Sequence, residues 1–247
     1  MIKIIFFLFT IFLFNISYAY QNTAPVSGFA RSFILGNPIK DARITVLETS
    51  QVIYTDQMGH FGPIQYPIGK PITLILEKIG FKTTQTGTVI VPPSGLSGPY
   101  DNITFQVPSL ESYYLLAGII GAKIDDEACH VTTTIIAYHK TMDDLPQGES
   151  HAKAILMPFV NEMPFYFDIF KDGPLKDKTN PFAHALTETS EDGGVAFFNL
   201  PPRDEPYTLS AIKPSVTFTE AQFICRKGAF INISPPQGPM AKNRITT

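Results

Sequence analysis

A tight turn between two apolar runs occurs twice in this chain. The first copy has the sequence Thr-Asp-Gln-Met-Gly-His-Phe over residues 55–61, and the second has Ser-Glu-Asp-Gly-Gly-Val-Ala-Phe over residues 190–197. In such a turn the Asp accepts backbone hydrogen bonds from residues just after it, and the Gly can adopt positive φ. The Phe then re-enters the core. We therefore assign structural turn roles to Asp56, Gly59 and Phe61 and to Asp192, Gly194 and Phe197.

Short runs with strand character surround both turns. The 21 Pro and 17 Gly residues lie in small clusters between these runs, a composition that disfavours long helices and favours strands joined by tight turns. About seven runs at roughly ten-residue spacing in the first part of the chain are typical of a β-sandwich. We expect an all-β protein with two tandem Ig-like or transthyretin-like β-sandwich domains.

The boundaries of these domains follow from changes in composition. We expect the first domain over residues 24–107 and a linker over residues 108–112. The second domain, residues 113–236, begins with predicted strands at 115–123 and 130–138 and also has one at 183–189. It carries a long insertion at 141–181, and residues 237–247, which lack an apolar pattern, are predicted to be a flexible tail.

Residues 1–19 have the pattern of a cleaved signal peptide. Lys3 precedes an apolar run, and Ser17 and Ala19 place small residues before the expected cleavage site. The run is about half of the roughly 20 residues that span a bilayer, although an uncleaved anchor remains an alternative. We expect export across the inner membrane, to the periplasm or the outside, and no membrane span in the mature chain. The short Phe/Ile-rich signal is typical of a bacterial protein.

The net charge narrows the possible partners, and the cysteine content predicts a covalent cross-link. The net charge of −3 is small and is not clustered, so it gives no reason to expect a nucleic acid or an anionic membrane as partner. Cys129 and Cys225 are the two cysteines. In an oxidising compartment such an even pair predicts a disulfide, and two separate thiols are the alternative.

Several segments of the first unit match a known domain type. They are Val-Ser-Gly-Phe-Ala at 26–30, Gly-Asn-Pro-Ile-Lys-Asp-Ala-Arg-Ile-Thr-Val at 36–46, the turn at 55–61, Gly69 and Gly80-Phe81. The unit resembles a carboxypeptidase regulatory-like domain, which implies a small transthyretin-like sandwich of an exported protein. The second unit resembles it more distantly, through residues 189–197, 199–202 and 207–211. The family's opening Gly-x-Val and Gly-Ala-x-Val elements are not clear in that unit.

Chemistry-bearing motifs are scarce. The chain has no His-Glu-x-x-His, no Cys-x-x-Cys, no Gly-x-Ser-x-Gly and no phosphate-cradling Gly-rich loop. The densest group of potential metal ligands could equally be a solvated loop, and we expect no catalytic residues and no cofactor. That group consists of Asp125, Asp126, Glu127 and His130.

Aromatic residues suggest two binding hypotheses. Phe165, Tyr166 and Phe167 could form a patch that faces a partner, or they could pack as a strand. Tyr113-Tyr114 could stack a sugar, although the chain has no Trp, the residue that commonly serves this purpose. A glycan therefore remains a possible ligand.

These observations favour an exported, non-enzymatic binding or structural module. It would act through its sandwich loops on a protein or cell-surface partner, for example as a secreted bacterial host-interaction factor. One alternative is a small secreted metal-binding protein or metalloenzyme that uses residues 125–130. The other is a glycan-binding adhesin.

Overall fold

A computed structural model describes residues 22–33, 35–182, 186–233 and 235–244. The expected signal peptide at 1–19 lies outside the described residues. The described chain has an all-β sandwich fold with twenty strands and one helix. No described helix has the length and apolar character needed to cross a membrane. In chain order the elements are β1 (Thr23–Ser32), β2 (Arg43–Val46), β3 (Val52–Tyr54), β4 (His60–Pro67), β5 (Pro71–Ile72), β6 (Leu74–Glu77), β7 (Thr84–Gln85), β8 (Val89–Ile90), β9 (Ile103–Val107), α1 (Leu110–Ile119), β10 (Cys129–Thr134), β11 (Lys153–Met157), β12 (Phe165–Tyr166), β13 (Asp168–Ile169), β14 (Thr179–Asn180), β15 (Gly194–Leu200), β16 (Tyr207–Ile212), β17 (Val216–Phe218), β18 (Ala221–Phe223), β19 (Phe230–Ile233) and β20 (Ala241–Arg244).

One eight-stranded sheet runs through both halves of the chain, in the order β12-β15-β10-β19-β7-β6-β2-β3. Strands β19 and β7 join the halves in parallel, with Phe230 opposite Thr84 and Ile231 opposite Gln85. Two three-stranded sheets, β4-β1-β9 and β11-β16-β18, complete the sandwich layers, and three two-stranded ribbons lie beside them. The two halves therefore share backbone hydrogen bonds between β19 and β7.

The first hydrophobic core is built from residues between Ala24 and Val107. Strand β1 alternates buried and partly exposed residues along its length, as expected for a strand with one face on a core. Val26 and Ala30 of that strand pack with Ile44 of β2 and Phe105 of β9. Side chains from the β4-β1-β9 sheet and from the large sheet thus fill the space between these two layers.

A second core lies between Cys129 and Ile233. It contains Val131 of β10, Val195 of β15, Leu209 of β16 and Ile231 of β19. These strands belong to the large sheet and to the β11-β16-β18 sheet. The same two-layer arrangement therefore recurs in the second half.

The prediction of a strand at 115–123 is wrong, because residues 110–119 form α1. The side chain of Ser109 caps this helix and accepts a hydrogen bond from the Ser112 N–H at 3.1 Å. Tyr113 and Ala117, one turn apart, are its buried residues. The predicted linker at 108–112 thus includes the cap and the first turn of the helix. Residues 113–120 contain no polar side chain other than the Tyr hydroxyls. The sequence therefore lacks the alternation of apolar and polar positions that indicates a helix.

The predicted tail at 237–247 is also wrong for the described residues 237–244. Strand β20 pairs with β17 in antiparallel orientation. The Ala241 N–H donates to the Ile136 carbonyl at 2.8 Å, and the Gln237 side chain donates to the Asp101 and Asn102 carbonyls. Backbone pairing holds this segment although it contributes few apolar residues. Residues 245–247 lie outside the described part.

The segment predicted as an insertion at 141–181 contains four strands. Strand β11 pairs with β16 and β12 pairs with β15, so much of the segment belongs to the sandwich. The predicted strand at 183–189 is not formed at 186–189, and 183–185 lie outside the described residues.

Candidate partner-binding surface

The first repeated turn is closed by the Asp56 side chain. Its Oδ1 accepts hydrogen bonds from the backbone N–H groups of Met58 and His60, each at 2.8 Å. The bond from His60 is the largest cause of the lowered pKa of Asp56. Gly59 has φ 77°, and a Cβ on it would lie 2.5 Å from the Ala30 carbonyl oxygen. Phe61 is buried in the first core.

The second turn uses a buried carboxyl group. Asp192 Oδ1 accepts from the Gly194 N–H at 2.9 Å, and its Oδ2 accepts from the Thr179 hydroxyl at 2.7 Å. Burial raises the pKa of Asp192 to about 6. The residue with positive φ is Gly193, at 72°, so the assignment of that conformation to Gly194 is wrong. Gly194 begins β15 instead, where a Cβ would lie 2.2 Å from Asp192 Oδ1. Phe197 is buried in the second core.

The predicted disulfide between Cys129 and Cys225 is confirmed. It links residues 96 positions apart, the first residue of β10 and a residue just after β18. Both cysteines are buried in the second core. The bridge therefore ties the large sheet to the three-stranded sheet of the second half.

The candidate metal ligands have separate structural roles. Asp125 Oδ1 accepts from the Glu127 N–H at 2.9 Å, and the Glu127 carboxylate pairs with Lys227. His130 is buried, and burial lowers its pKa. Its Nδ1 accepts from the Asn199 N–H at 3.1 Å. Across the described ranges, no three His, Cys, Asp or Glu side chains are grouped in a way that could hold a metal ion.

Asn199 organises the loop that contains Lys123 and Asp125, although it was not among the predicted site residues. Its side-chain Oδ1 accepts from the Asp125 N–H at 2.9 Å, and its Nδ2 donates to the Lys123 carbonyl at 2.8 Å. It has φ 59°, a conformation that Asn tolerates better than most residues. The Asn-Leu-Pro-Pro sequence at 199–202 is the signal that could have indicated a special conformation here.

The predicted aromatic patch at residues 165–167 is mostly buried. Tyr166 and Phe167 are buried, and only Phe165 is partly exposed. The Tyr166 hydroxyl accepts from the Ala154 N–H at 3.0 Å, which ties β12 to β11. These rings are placed inward because β12 pairs with β15 of the large sheet. Strand packing, the alternative interpretation of this sequence, accounts for them.

The pair Tyr113-Tyr114 does not form a flat platform. Tyr113 is buried and Tyr114 is exposed. Their rings meet edge to face at an interplanar angle of 75°, and Tyr113 also packs against Phe230. This arrangement leaves a single exposed ring for a ligand to contact.

The structure does expose apolar side chains elsewhere in the predicted insertion. Met157 is 54% exposed, Phe159 is 82% exposed and Met163 is 83% exposed. We refer to residues 157–163 as the apolar loop. Its three exposed side chains lie within seven residues, Met157 at the end of β11 and Phe159 and Met163 in the short connection to β12.

Both ends of the apolar loop are fixed. Leu156, just before it, is buried in the second core. Val160 in its middle packs against the same core. Beyond it, β12 is held by β15 and by the hydrogen bond to the Tyr166 hydroxyl. The loop therefore presents its apolar side chains between two strands that are anchored in the sandwich.

A second exposed apolar surface lies on α1. Leu110, Tyr114 and Leu115 are exposed on the helix. The Leu110 N–H donates to the Gly80 carbonyl at 3.0 Å, which brings Ile79, 98% exposed, next to the start of the helix. We refer to these four residues as the helix patch.

Comparisons with known proteins give distant structural matches. No family model matches the chain, and a search of curated proteins gave no match. Among solved structures, the TIE protein of Bacillus anthracis is 14% identical with a TM-score of 0.28, and the match covers 90% of this chain and 34% of that one. The shaft pilin of Lactobacillus rhamnosus GG is 9% identical, with a TM-score of 0.26 and coverage of 90% and 98%. The minor pilin of Streptococcus agalactiae is 10% identical, with a TM-score of 0.26 and the same coverage.

Proposed function

We propose that this chain is an exported, non-enzymatic binding or structural module that binds a protein partner through the apolar loop. The observation that carries the proposal is the exposure of Met157, Phe159 and Met163 on a loop held at both ends by core strands. The partner contributes an apolar recess that takes the Phe159 ring.

The chemistry of these side chains supports a protein partner. Met and Phe are enriched at the centres of protein interfaces, and Met adapts its shape to irregular surfaces. Contiguous exposed apolar side chains on a soluble protein commonly mark interaction sites. Because Val160 and the flanking strands anchor the loop backbone, most of the ordering cost of binding falls on the exposed side chains.

Two features support export. The first 19 residues have the pattern of a signal peptide. The Cys129–Cys225 bridge is a feature of proteins from oxidising compartments. The resemblance of residues 24–107 to a carboxypeptidase regulatory-like domain fits the same setting. In this proposal the first half supports the second through the shared sheet and holds the loop at a fixed orientation.

The proposed partner contact can be tested by loss of capture. Immobilised wild-type protein and the Phe159→Ser/Met163→Ser variant would be exposed to extract from the cells that produce the protein. The captured protein would then be purified and its Kd measured by calorimetry. Truncating a central aromatic anchor costs about 2 kcal/mol or more, so we expect Kd to rise roughly 30-fold or more.

Ile79→Ser is the matched control, because Ile79 is also highly exposed and lies on the helix patch. It should leave Kd unchanged, and all variants should keep the wild-type melting temperature. Equal binding by wild type and the double variant would refute the apolar loop as the contact site.

A further inference from the structure

Two strands from different halves meet at one point and then separate. The Thr88 N–H, just before β8, donates to the Gln222 carbonyl of β18 at 2.7 Å, and these residues form an isolated antiparallel bridge. Gly87 allows this approach, since a Cβ on it would lie 3.1 Å from the Gln222 oxygen. Beyond the bridge lies a groove of about 500 Å³, lined by both strands.

The backbone on both sides of this groove is positioned for pairing. Successive residues of a strand direct their N–H and C=O groups to opposite edges. Thr88 faces β18, whereas the Val91 N–H donates to Lys70 on the β5 side. The backbone groups of Ile90 therefore face the groove. In the antiparallel register set by Thr88 and Gln222, Glu220 is the residue opposite Ile90.

The charges in the groove have one sign. Its charged lining residues are Asp101 and Glu220, and its lining contains no Lys, Arg or His. Neither carboxylate forms an ion pair with a described residue. Tyr100 and Ile90 are exposed at the same groove. An electron-rich ring next to uncompensated carboxylates favours a cationic side chain.

We propose that this groove binds an extended polypeptide segment, which adds as a strand between β8 and β18 and directs a Lys or Arg side chain toward Asp101 and Glu220. The main-chain groups of Ile90 and Glu220 supply the hydrogen bonds, and the two carboxylates supply the selectivity. A polypeptide fits better than a glycan, because its main chain can pair with the backbone groups of Ile90 on one side and of Glu220 on the other. The site is separate from the apolar loop and does not depend on the proposed function.

The test uses phage-displayed random nonapeptides selected on the immobilised wild-type protein. The strongest selected peptide is then synthesised with a fluorescein label, and its Kd is measured by fluorescence polarisation. We expect the selected sequences to be enriched in Lys or Arg and poor in Pro. Methylation of backbone nitrogens at alternate positions of the peptide should weaken binding in either register, because a strand that lies between two others donates hydrogen bonds from both of its edges.

Variants of the protein separate the groove from other surfaces. Glu220→Lys and Asp101→Lys should each raise Kd about tenfold or more. Asp204→Lys, the same charge change at an exposed position outside the groove lining, should leave Kd unchanged. The Phe159→Ser/Met163→Ser variant should bind the peptide like wild type, so failure of the proposed function would not affect this result.

Several outcomes would overturn the groove proposal. The first is that basic peptides are no more enriched on the wild-type protein than on the Glu220→Lys protein. The second is that neither charge reversal changes peptide binding. The third is that the peptide tolerates backbone methylation in either register. Melting temperatures of the variants close to wild type would show that loss of binding is not loss of folding.

Discussion

Arg226 donates from Nη1 to the side-chain Oε1 of Gln85 at 2.7 Å, so a charged residue of the second half satisfies a buried amide of the first. The other end of the same amide, Nε2, donates to the Ile224 carbonyl at 3.1 Å. Gln85 lies in β7, which pairs with β19 across the junction of the halves. The shared sheet and this side chain couple two cores that the sequence places in separate domains.

Replacing Gln85 should weaken this junction. Gln85→Ala leaves the Ile224 carbonyl and the Arg226 guanidinium without their partner, which costs about 1–3 kcal/mol. We expect a lower midpoint in urea unfolding monitored by circular dichroism. Gln51→Ala, at an exposed position, should leave the midpoint within error of wild type. Equal midpoints for the two variants would contradict the coupling.

The stability of the protein should depend on the ionisation of Asp192. Burial raises the pKa of this carboxyl in the folded state to about 6 from its usual value of 3.8, and neighbouring Asp168 adds to the rise. Between these values the folded protein binds more protons at this site than the unfolded chain. The free energy of unfolding should therefore fall by about 3 kcal/mol as pH rises from below 4 to above 6.

Asp192→Asn isolates this contribution, because an amide does not titrate in that range. The difference in unfolding free energy between wild type and variant, followed by urea titration at several pH values, should change over pH 4 to 6. Thr179→Val removes a hydrogen bond that lowers the pKa of Asp192, and should move the transition to higher pH. A difference that stays constant over this range would contradict a buried, titrating Asp192.

Glycines with positive φ should tolerate replacement by Ala according to the space around the added Cβ, and not according to φ alone. Gly59 and Gly69 have similar φ values, 77° and 75°. A Cβ at Gly59 would lie 2.5 Å from the Ala30 carbonyl oxygen, whereas a Cβ at Gly69 has nothing within 4 Å. Gly69→Ala should cost about 1–2 kcal/mol, the strain of left-handed backbone. Gly59→Ala should lower the melting temperature by clearly more. Equal losses would show that the close approach at Gly59 relaxes freely.

Removal of the disulfide should destabilise the second half. Cys129→Ser/Cys225→Ser opens a loop between residues 96 positions apart, and the chain-entropy model gives about 4 to 5 kcal/mol for a loop of this size. Urea unfolding of the wild type with reductant should match the double variant without it. Reductant should have no effect on the variant. A wild type that is insensitive to reductant, with reduction verified by thiol titration, would contradict the prediction.

Short-range sequence signals were sufficient to predict the fold class, and the pair of cysteines was sufficient to predict the disulfide. Period-2 burial in β1 and Gly- and Pro-rich turns are short-range signals that a single sequence contains. The pairing of β7 with β19 is different, because it joins residues more than a hundred positions apart and depends on tertiary packing. The same long-range dependence explains β20, whose residues have weak apolar character but pair with β17.

The candidate surface was harder to predict than the fold. The sequence drew attention to Phe165-Tyr166-Phe167 because aromatic residues cluster there, yet pairing of β12 with β15 turns Tyr166 and Phe167 inward. Phe159 and Met163 have no periodic pattern that distinguishes an exposed apolar side chain from a buried one. Only the positions of β11 and β12 determine that they face solvent.

Site-specific photocrosslinking at position 159 tests the central claim most directly. The protein with a photoreactive phenylalanine analogue in place of Phe159 would be irradiated in the presence of cells that produce the native protein. We predict one discrete adduct, which excess unlabelled wild type suppresses and the Phe159→Ser/Met163→Ser variant does not. The same analogue at exposed Tyr138 should give no such adduct. No adduct at position 159, or equal adducts at both positions, would contradict a partner contact at the apolar loop.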